Sequence, residues 1–282
     1  MCCEVLTHSD VLSNLPDRDP DSHKGNYGRV LLLCGSRGYT GAAALAAMGA
    51  LRCGSGLVYL GVPESIYDIE AVKLTEPIVF PLPDENGMFH RSVMDHLRPL
   101  LQKMDAVLIG PGIGQSDECA EVVIAILKEY PGTVILDADG INVLKQNIDV
   151  LRGRDGQTIL TPHAGEFARI GGCIDCDRIS AAAKLAVKLN SIVLLKGNQT
   201  VITDGKTTYL NTTGNPGMAV GGCGDVLAGM ITAFVGQGID PLIAAACGAW
   251  VHGKAGDICA EKMGQYGMLP SDMLMEIPRL LK

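Results

Sequence analysis

The feature that most constrains this chain is a rhythm in which short apolar runs bounded by glycine alternate with longer stretches of helical character. "GRVLLLCG" (28–35), "SGLVYLGVPE" (55–64), "EPIVFPL" (76–82), "DAVLIGPG" (105–112), "GTVILDAD" (132–139), "QTILTPH" (157–163) and "SIVLLKG" (191–197) each read as a strand. Between them, "GAAALAAMGALRCG" (41–54), 92–103, 116–130, a segment from about 163 and "RISAAAKLAVKL" (178–189) read as helices. The alternation then stops. "TVITDG" and "TTYLN" flank a turn as a hairpin at one sheet edge, and helices follow over 225–237, 240–263 and 270–281. With no Pro/Ser-rich linker to divide it, the pattern predicts one three-layer α/β domain over 1–282, with a mostly parallel sheet and a polar opening segment at 1–23. Composition agrees: 47% hydrophobic but only 4% aromatic leaves the packing to aliphatic and small residues.

Charge and cysteine usage narrow the class. A formal net charge of −8 without a Lys/Arg cluster argues against a sequence-independent nucleic-acid binder. An anionic small molecule remains possible, because backbone N–H groups and a helix N-terminus supply local positive potential. The 10 cysteines are scattered, mostly among apolar residues, and read as reduced thiols acting as small hydrophobes. One CxxC pair, Cys173 and Cys176, has the spacing of half a zinc site or a redox pair but no second ligand pair to complete it. The opening segment lacks the apolar core of a signal peptide and no run reaches membrane-spanning length, so a cytoplasmic location is expected.

Parallel sheets bind ligands beyond the carboxyl ends of their strands, and several strand exits here carry polar or glycine-rich residues. "LLLCGSRGYTGAA" leaves through Gly35, Gly38 and Gly41 into a helix holding Ala42 and Ala43; its GxxGxxG spacing is not the dinucleotide fingerprint. It reads equally as an anion-facing helix start or as a tight turn. "VLIGPGIGQ" brings Gly110, Gly112 and Gly114 to a second rim position, and "LTPHAGEF" brings His163 and Glu166 to a third. His163 there is either structural or a polar-ligand contact. "VLLKGNQTVITDG" ends an apolar strand in Lys196, Gly197, Asn198, Gln199 and Thr200, a cationic, amide-rich turn suited to phosphate and sugar.

"NTTGNPGMAVGGCGDVLAG" (211–229) places five glycines between Gly214 and Gly224, more than one turn requires. Their N–H groups can form an anion hole to which the following helix adds its positive end. Asp225 then has two readings. It is either the N-cap of that helix or a general base beside a phosphoryl group in transfer.

With these segments in order, the chain resembles the ADP/ATP-dependent NAD(P)H-hydrate dehydratase family of the ribokinase-like superfamily. The resemblance runs from about residue 24 to the end and implies a ribokinase-like three-layer fold and repair of hydrated NADH or NADPH. It implies that Lys196, Gly197, Asn198, Gln199, Thr200 and Gly224 contact the adenine nucleotide. Ala43, Gly112, His163 and Asp225 would contact the hydrated dinucleotide, with Asp225 as the catalytic base. ADP or ATP would be the phosphoryl donor with Mg²⁺, which Glu166 or Asp137 would reach through water. Two departures stand out: Cys223 replaces the family's usual Thr in "GGCGD", and "NTTGNPG" replaces the commoner Asn-Pro-Thr-Gly. The short start implies dependence on a separate epimerase, and the family implies a homo-oligomer, a tetramer. Alternatives are a vitamin-precursor kinase of the same superfamily, a dehydrogenase using the same dinucleotide, and a silent nucleotide-binding module.

Overall fold

The computed structural model describes residues 3–174 and 177–282, so Cys176 of the CxxC pair lies outside the described residues. In chain order the first half contains α1 (His8–Ser13), β1 (Arg29–Leu33), α2 (Thr40–Arg52), β2 (Leu57–Pro63), α3 (Tyr67–Lys73), β3 (Ile78–Leu82), β4 (Asp84–Glu85), β5 (Met88–Phe89) and α4 (Val93–Leu101). There follow β6 (Ala106–Ile109), α5 (Asp117–Glu129), β7 (Thr133–Leu136), α6 (Asp139–Asn142), β8 (Thr158–Leu160), α7 (Ala164–Arg169), α8 (Arg178–Leu189) and β9 (Ile192–Leu195). The chain closes with β10 (Thr200–Thr203), β11 (Thr208–Asn211), α9 (Cys223–Gly236), α10 (Pro241–Met263) and α11 (Pro270–Glu276).

Nine strands form one sheet in the order β11-β10-β9-β8-β7-β6-β1-β2-β3, with β4 and β5 in a separate two-stranded ribbon. From β3 across to β9 every pairing is parallel; β10 pairs antiparallel with β9 and β11, giving the expected edge hairpin. The chain walks outward from β1 to β3 and then returns to β6 on the other side of β1. That reversal opens a crevice at the carboxyl ends of the central strands.

Both sheet faces are covered, which explains why the strands read as continuous apolar runs. Val30 and Leu32 pack with α2, α9, α10 and α11, whereas Leu31 and Leu33 pack with α4, α5 and α8. On the first face α2 and α9 cross at nearly bare backbone. A Cβ at Gly229 would lie 2.0 Å from the Ala46 carbonyl oxygen, and one at Gly49 would lie 2.5 Å from that of Val226. The small residues of "GAAALAAMGALRCG" therefore permit an approach that larger side chains would prevent.

Local differences from the sequence reading have local causes. The opening segment contains α1, started by a Thr7–Asp10 capping box, and Glu4 bridges to Tyr209 at the sheet edge. The β4–β5 ribbon turns on Asn86 and Gly87, both at positive φ, an Asn-Gly hairpin signal that was present in the sequence. α3 and α6 are too short to show a period. α9 begins at Cys223, two residues before the expected start, which changes the position of Asp225 within it.

Candidate active site

The ends of β7, β8 and β9 deliver functional groups to the crevice. β7 runs into Asp137, and the next residue, Ala138, takes φ 49° and ψ −115°, a conformation side-chain-bearing residues rarely adopt. This kink separates two carboxylates. Asp137 turns toward β8 and β9, where Thr161 Oγ1 donates to its Oδ1 at 2.6 Å and Lys196 Nζ donates to the same oxygen at 2.8 Å. Asp139 turns the other way and accepts from the Gly114 N–H at 3.1 Å and from Gln115 Nε2 at 2.9 Å.

β8 ends at Leu160, and just beyond Pro162 His163 caps α7. Its Nδ1 accepts from the Gly165 N–H at 2.9 Å, which puts the ring proton on Nε2, 3.3 Å from Glu166 Oε1. Glu166 Oε2 closes a capping box by accepting from the His163 N–H at 2.8 Å and lies 3.9 Å from Lys196 Nζ. The Lys196 side chain, 21% exposed, thus faces two buried carboxylates. Burial alone would lower its pKa, but Asp137, Glu166 and Asp225 together hold it above the usual lysine value.

The start of α9 faces this cluster. Gly222, at φ 102°, is the N-cap and offers no side chain, so Asp225 is the third helical residue rather than the cap. Asp225 therefore does not cap α9. The backbone N–H groups of Gly221, Gly222, Gly224 and Asp225 find no acceptor among the described residues, leaving an anion hole at the positive end of a helix. Gly224 lies over the charged pair, since a Cβ there would be 3.3 Å from Lys196 Nζ and 3.9 Å from Asp137 Oδ2. Burial, reinforced by Asp137 and Asp139 and opposed by Lys196, pushes Asp225 up to about 7. No side chain among the described residues donates to its carboxylate. A carboxyl group so placed is suited to take a proton near neutral pH.

Cys223 is buried, and its thiol points to Met273 Sδ of α11 at 3.9 Å. Burial raises it to about 11, so it stays a thiol and behaves as a core residue.

A cleft of about 810 Å³ is lined by His163, Lys196, Gly197, Asn198, Gln199, Thr200, Cys223 and Gly224. The nucleotide residues expected from the sequence are therefore brought together. His163, expected with the dinucleotide, stands on the same wall. Ala43 and Gly112 lie away from that wall, where the loop after β6 meets the start of α2: a Cβ at Gly112 would touch Tyr39 and Ala42. Ala43 is fully buried, with its methyl against Gly35. Gly38 and Gly41 face open space beside it. Sequence reasoning missed Asp139, Thr161 and His252. "ILDADGINVL" carried a signal for the first in its paired acids; His252 sits in a helix with nothing local to mark it.

A family model described as NAD(P)H-hydrate dehydratase matches residues 30–279. The bifunctional NAD(P)H-hydrate repair enzyme Nnr of Moorella thermoacetica is 43% identical over 285 residues, covering 99% of this chain and 54% of that protein. The chain spans about half the length of the curated relatives it matches. The crystal structure of the ADP/ATP-dependent NAD(P)H-hydrate dehydratase from Bacillus subtilis, co-crystallised with ATP/Mg²⁺, superposes with a TM-score of 0.85 at 32% identity, covering 99% of this chain and 98% of that one. A hydroxyethylthiazole kinase protein from Pyrococcus horikoshii shares the fold at a TM-score of 0.59 and 18% identity, over 97% of this chain and 92% of that one. With the family match extending through the sheet, the anion-facing start of α9 and the terminal helices alike, the chain belongs to the NAD(P)H-hydrate dehydratase family.

Proposed function

We propose that this chain dehydrates the S epimer of hydrated NADH or NADPH, converting ADP to AMP and phosphate as it restores the dinucleotide. The observation that carries the reading is Asp225, a carboxylate poised near pH 7 beside free helix-start amides and the Lys196 ammonium. Asp225 takes the proton of the ring hydroxyl, whose oxygen attacks the terminal phosphorus of ADP as the bond to the bridging oxygen of AMP breaks. The resulting phosphate ester then leaves: the ring nitrogen pushes its lone pair inward, the C–O bond breaks, and the dihydronicotinamide forms with loss of one ring proton. Hydroxide has been exchanged for a far better leaving group. The amides of Gly221, Gly222 and Gly224 and the charge of Lys196 stabilise the negative charge that gathers on the transferring group.

The nucleotide belongs in the cleft lined by Lys196 to Thr200 and Gly224, with His163 on the same wall, and the hydrated ring lies toward Ala43, Gly112 and Asp225. Asp137 suits Mg²⁺, because its Oδ1 takes both protein donors while Oδ2 faces Gly224. When bound, the cation would neutralise charge on the phosphoryl oxygens, with Glu166 reaching it through water. We place the activity in one domain over 1–282, acting in the cytoplasm as a homo-oligomer with a separate epimerase supplying the S form. Among the described residues no helix is long and apolar enough to cross a membrane.

The deciding assay incubates the protein with hydrated NADH or NADPH, Mg²⁺ and ADP or ATP, and follows the return of dihydronicotinamide absorbance. Return with a nucleotide and none without it supports the reading. No return with either nucleotide rejects it, and phosphorylation of a hydroxyethylthiazole instead would assign a vitamin-precursor kinase.

A further inference from the structure

His252 of α10 lines the same cleft and is only 7% exposed, yet its Nε2 is buried with no hydrogen-bond partner among the described residues. The ring hydrogen-bonds the backbone of Cys223, the residue that opens α9, and this contact favours the protonated ring. That is the sign of a ring N–H donating to a carbonyl. With Nε2 unpartnered, the donor is Nδ1, and Nε2 keeps a lone pair. Burial, with the Lys196 ammonium nearby, pulls the ring down to about 4, so it is neutral at physiological pH.

A buried acceptor without a donor is costly and rare enough to need an explanation. Among the described residues, no protein donor on this wall reaches Nε2. The Thr213 hydroxyl donates to the Trp250 carbonyl or to Asn211 Oδ1, both at 2.9 Å. Asn211 Nδ2 serves the carbonyls of Thr213 and Ala249, and Lys196 Nζ serves Asp137. The ring lines the cleft, so an occupant of the cleft can supply the missing donor.

We propose that His252 is a nucleotide-selecting residue, whose Nε2 accepts a hydrogen bond from a donor on the bound nucleotide, a sugar hydroxyl or the exocyclic amine of the base. The inference rests on the nucleotide half of the reading above. It adds that the site discriminates against nucleotides lacking that donor, because the buried nitrogen is then left unpaired.

The test is calorimetric binding of ADP, 2′-deoxy-ADP, 3′-deoxy-ADP and inosine diphosphate to the full chain and to His252→Asn and His252→Gln, each checked for native folding by circular dichroism. Asn can keep the contact to Cys223 while removing the Nε2 acceptor; Gln can place an oxygen near the Nε2 position. One analogue should bind the unaltered protein about tenfold more weakly than ADP. That penalty should fall below about threefold in His252→Asn and return in His252→Gln. The identity of the affected analogue separates hydroxyl from amine recognition. If every analogue binds the unaltered protein as ADP does, or the penalty survives in His252→Asn, the proposal is overturned. Should His252→Asn fail to fold, the unaltered protein and His252→Gln decide, a penalty shared by both supporting the proposal and its absence from either overturning it. Binding needs no turnover, so an inactive protein with the expected pattern rejects only the dehydratase reading. Absence of nucleotide binding rejects both.

Discussion

Lys196 Nζ and Asp137 Oδ1 lie 2.8 Å apart at the ends of β9 and β7, with the first turn of α9 directly above them. The pair gives the anion hole a cation that cannot drift. Lys196→Met should abolish measurable nucleotide binding and also destabilise the fold by about 3 kcal/mol, because Asp137 is left buried with Thr161 as its remaining donor. Adding Asp137→Asn should recover part of that stability without restoring binding. Chemical denaturation and calorimetry on the single and double variants measure both effects; a Lys196→Met protein as stable as the parent would contradict the argument.

Asp225→Asn should lower kcat by at least about a thousandfold while leaving nucleotide affinity within about threefold, since the general base is lost and the amides remain. It should also stabilise the protein. The folded pKa of about 7 lies above the ordinary aspartate value of 3.8, so the folded state binds more protons between those values and loses stability as pH rises through them. The gain in Tm from Asp225→Asn should therefore be a few degrees at about pH 8 and should shrink toward about pH 4. Thermal melts across that range would show a flat difference if Asp225 were an ordinary solvated acid.

The pH dependence of turnover follows from the same group. Only the deprotonated carboxylate can accept the hydroxyl proton, so kcat/KM should fall about tenfold per unit below the Asp225 pKa of about 7 and level off above it. A profile already flat from about pH 5 would assign the proton transfer elsewhere.

The Cys223 thiol packs against Met273 in the core, and the N–H groups around it hold the anion site. Cys223→Ser should therefore change nucleotide affinity by less than about threefold while costing about 1 kcal/mol for a hydroxyl placed among apolar atoms. Affinity improved tenfold in the serine variant would show instead that this side chain reaches phosphate.

Ala138 holds a backbone conformation that glycine tolerates far better. Ala138→Gly should leave stability unchanged or raise it by about 1 kcal/mol, yet lower kcat severalfold as the carboxylates on either side lose their fixed directions. Denaturation and steady-state kinetics on one preparation separate the two effects.

The sheet and its edge hairpin were readable because buried parallel strands must be apolar along their whole length, and glycine marks their exits. The wall formed by Lys196 to Thr200 was readable for a related reason: a cationic, amide-rich turn directly after "IVLL" has few structural uses. What escaped were relationships set by distant parts of the chain. Asp225 seemed able to cap its helix until Gly222 proved to be the cap, a matter of two residues that periodicity does not resolve. His252 is one polar residue within a long small-residue helix, and only the fold brings it to Cys223. The departure at Cys223 looked chemical in the sequence and is steric in the fold, because the thiol turns toward α11.

The crossing of α2 and α9 has a consequence for how the two halves of the cleft are spaced. At Gly49 and Gly229 the helices meet through main-chain atoms, with no side chain at either position to change rotamer and absorb a displacement. The separation of the two helix starts, one beside Gly112 and the other above Lys196, is gauged by the contact radii of carbonyl oxygens and α-carbons. Such a spacer cannot be compressed and has no alternative setting. Drift elsewhere in the sequence can reshape the pockets on either side while the span between them keeps its length.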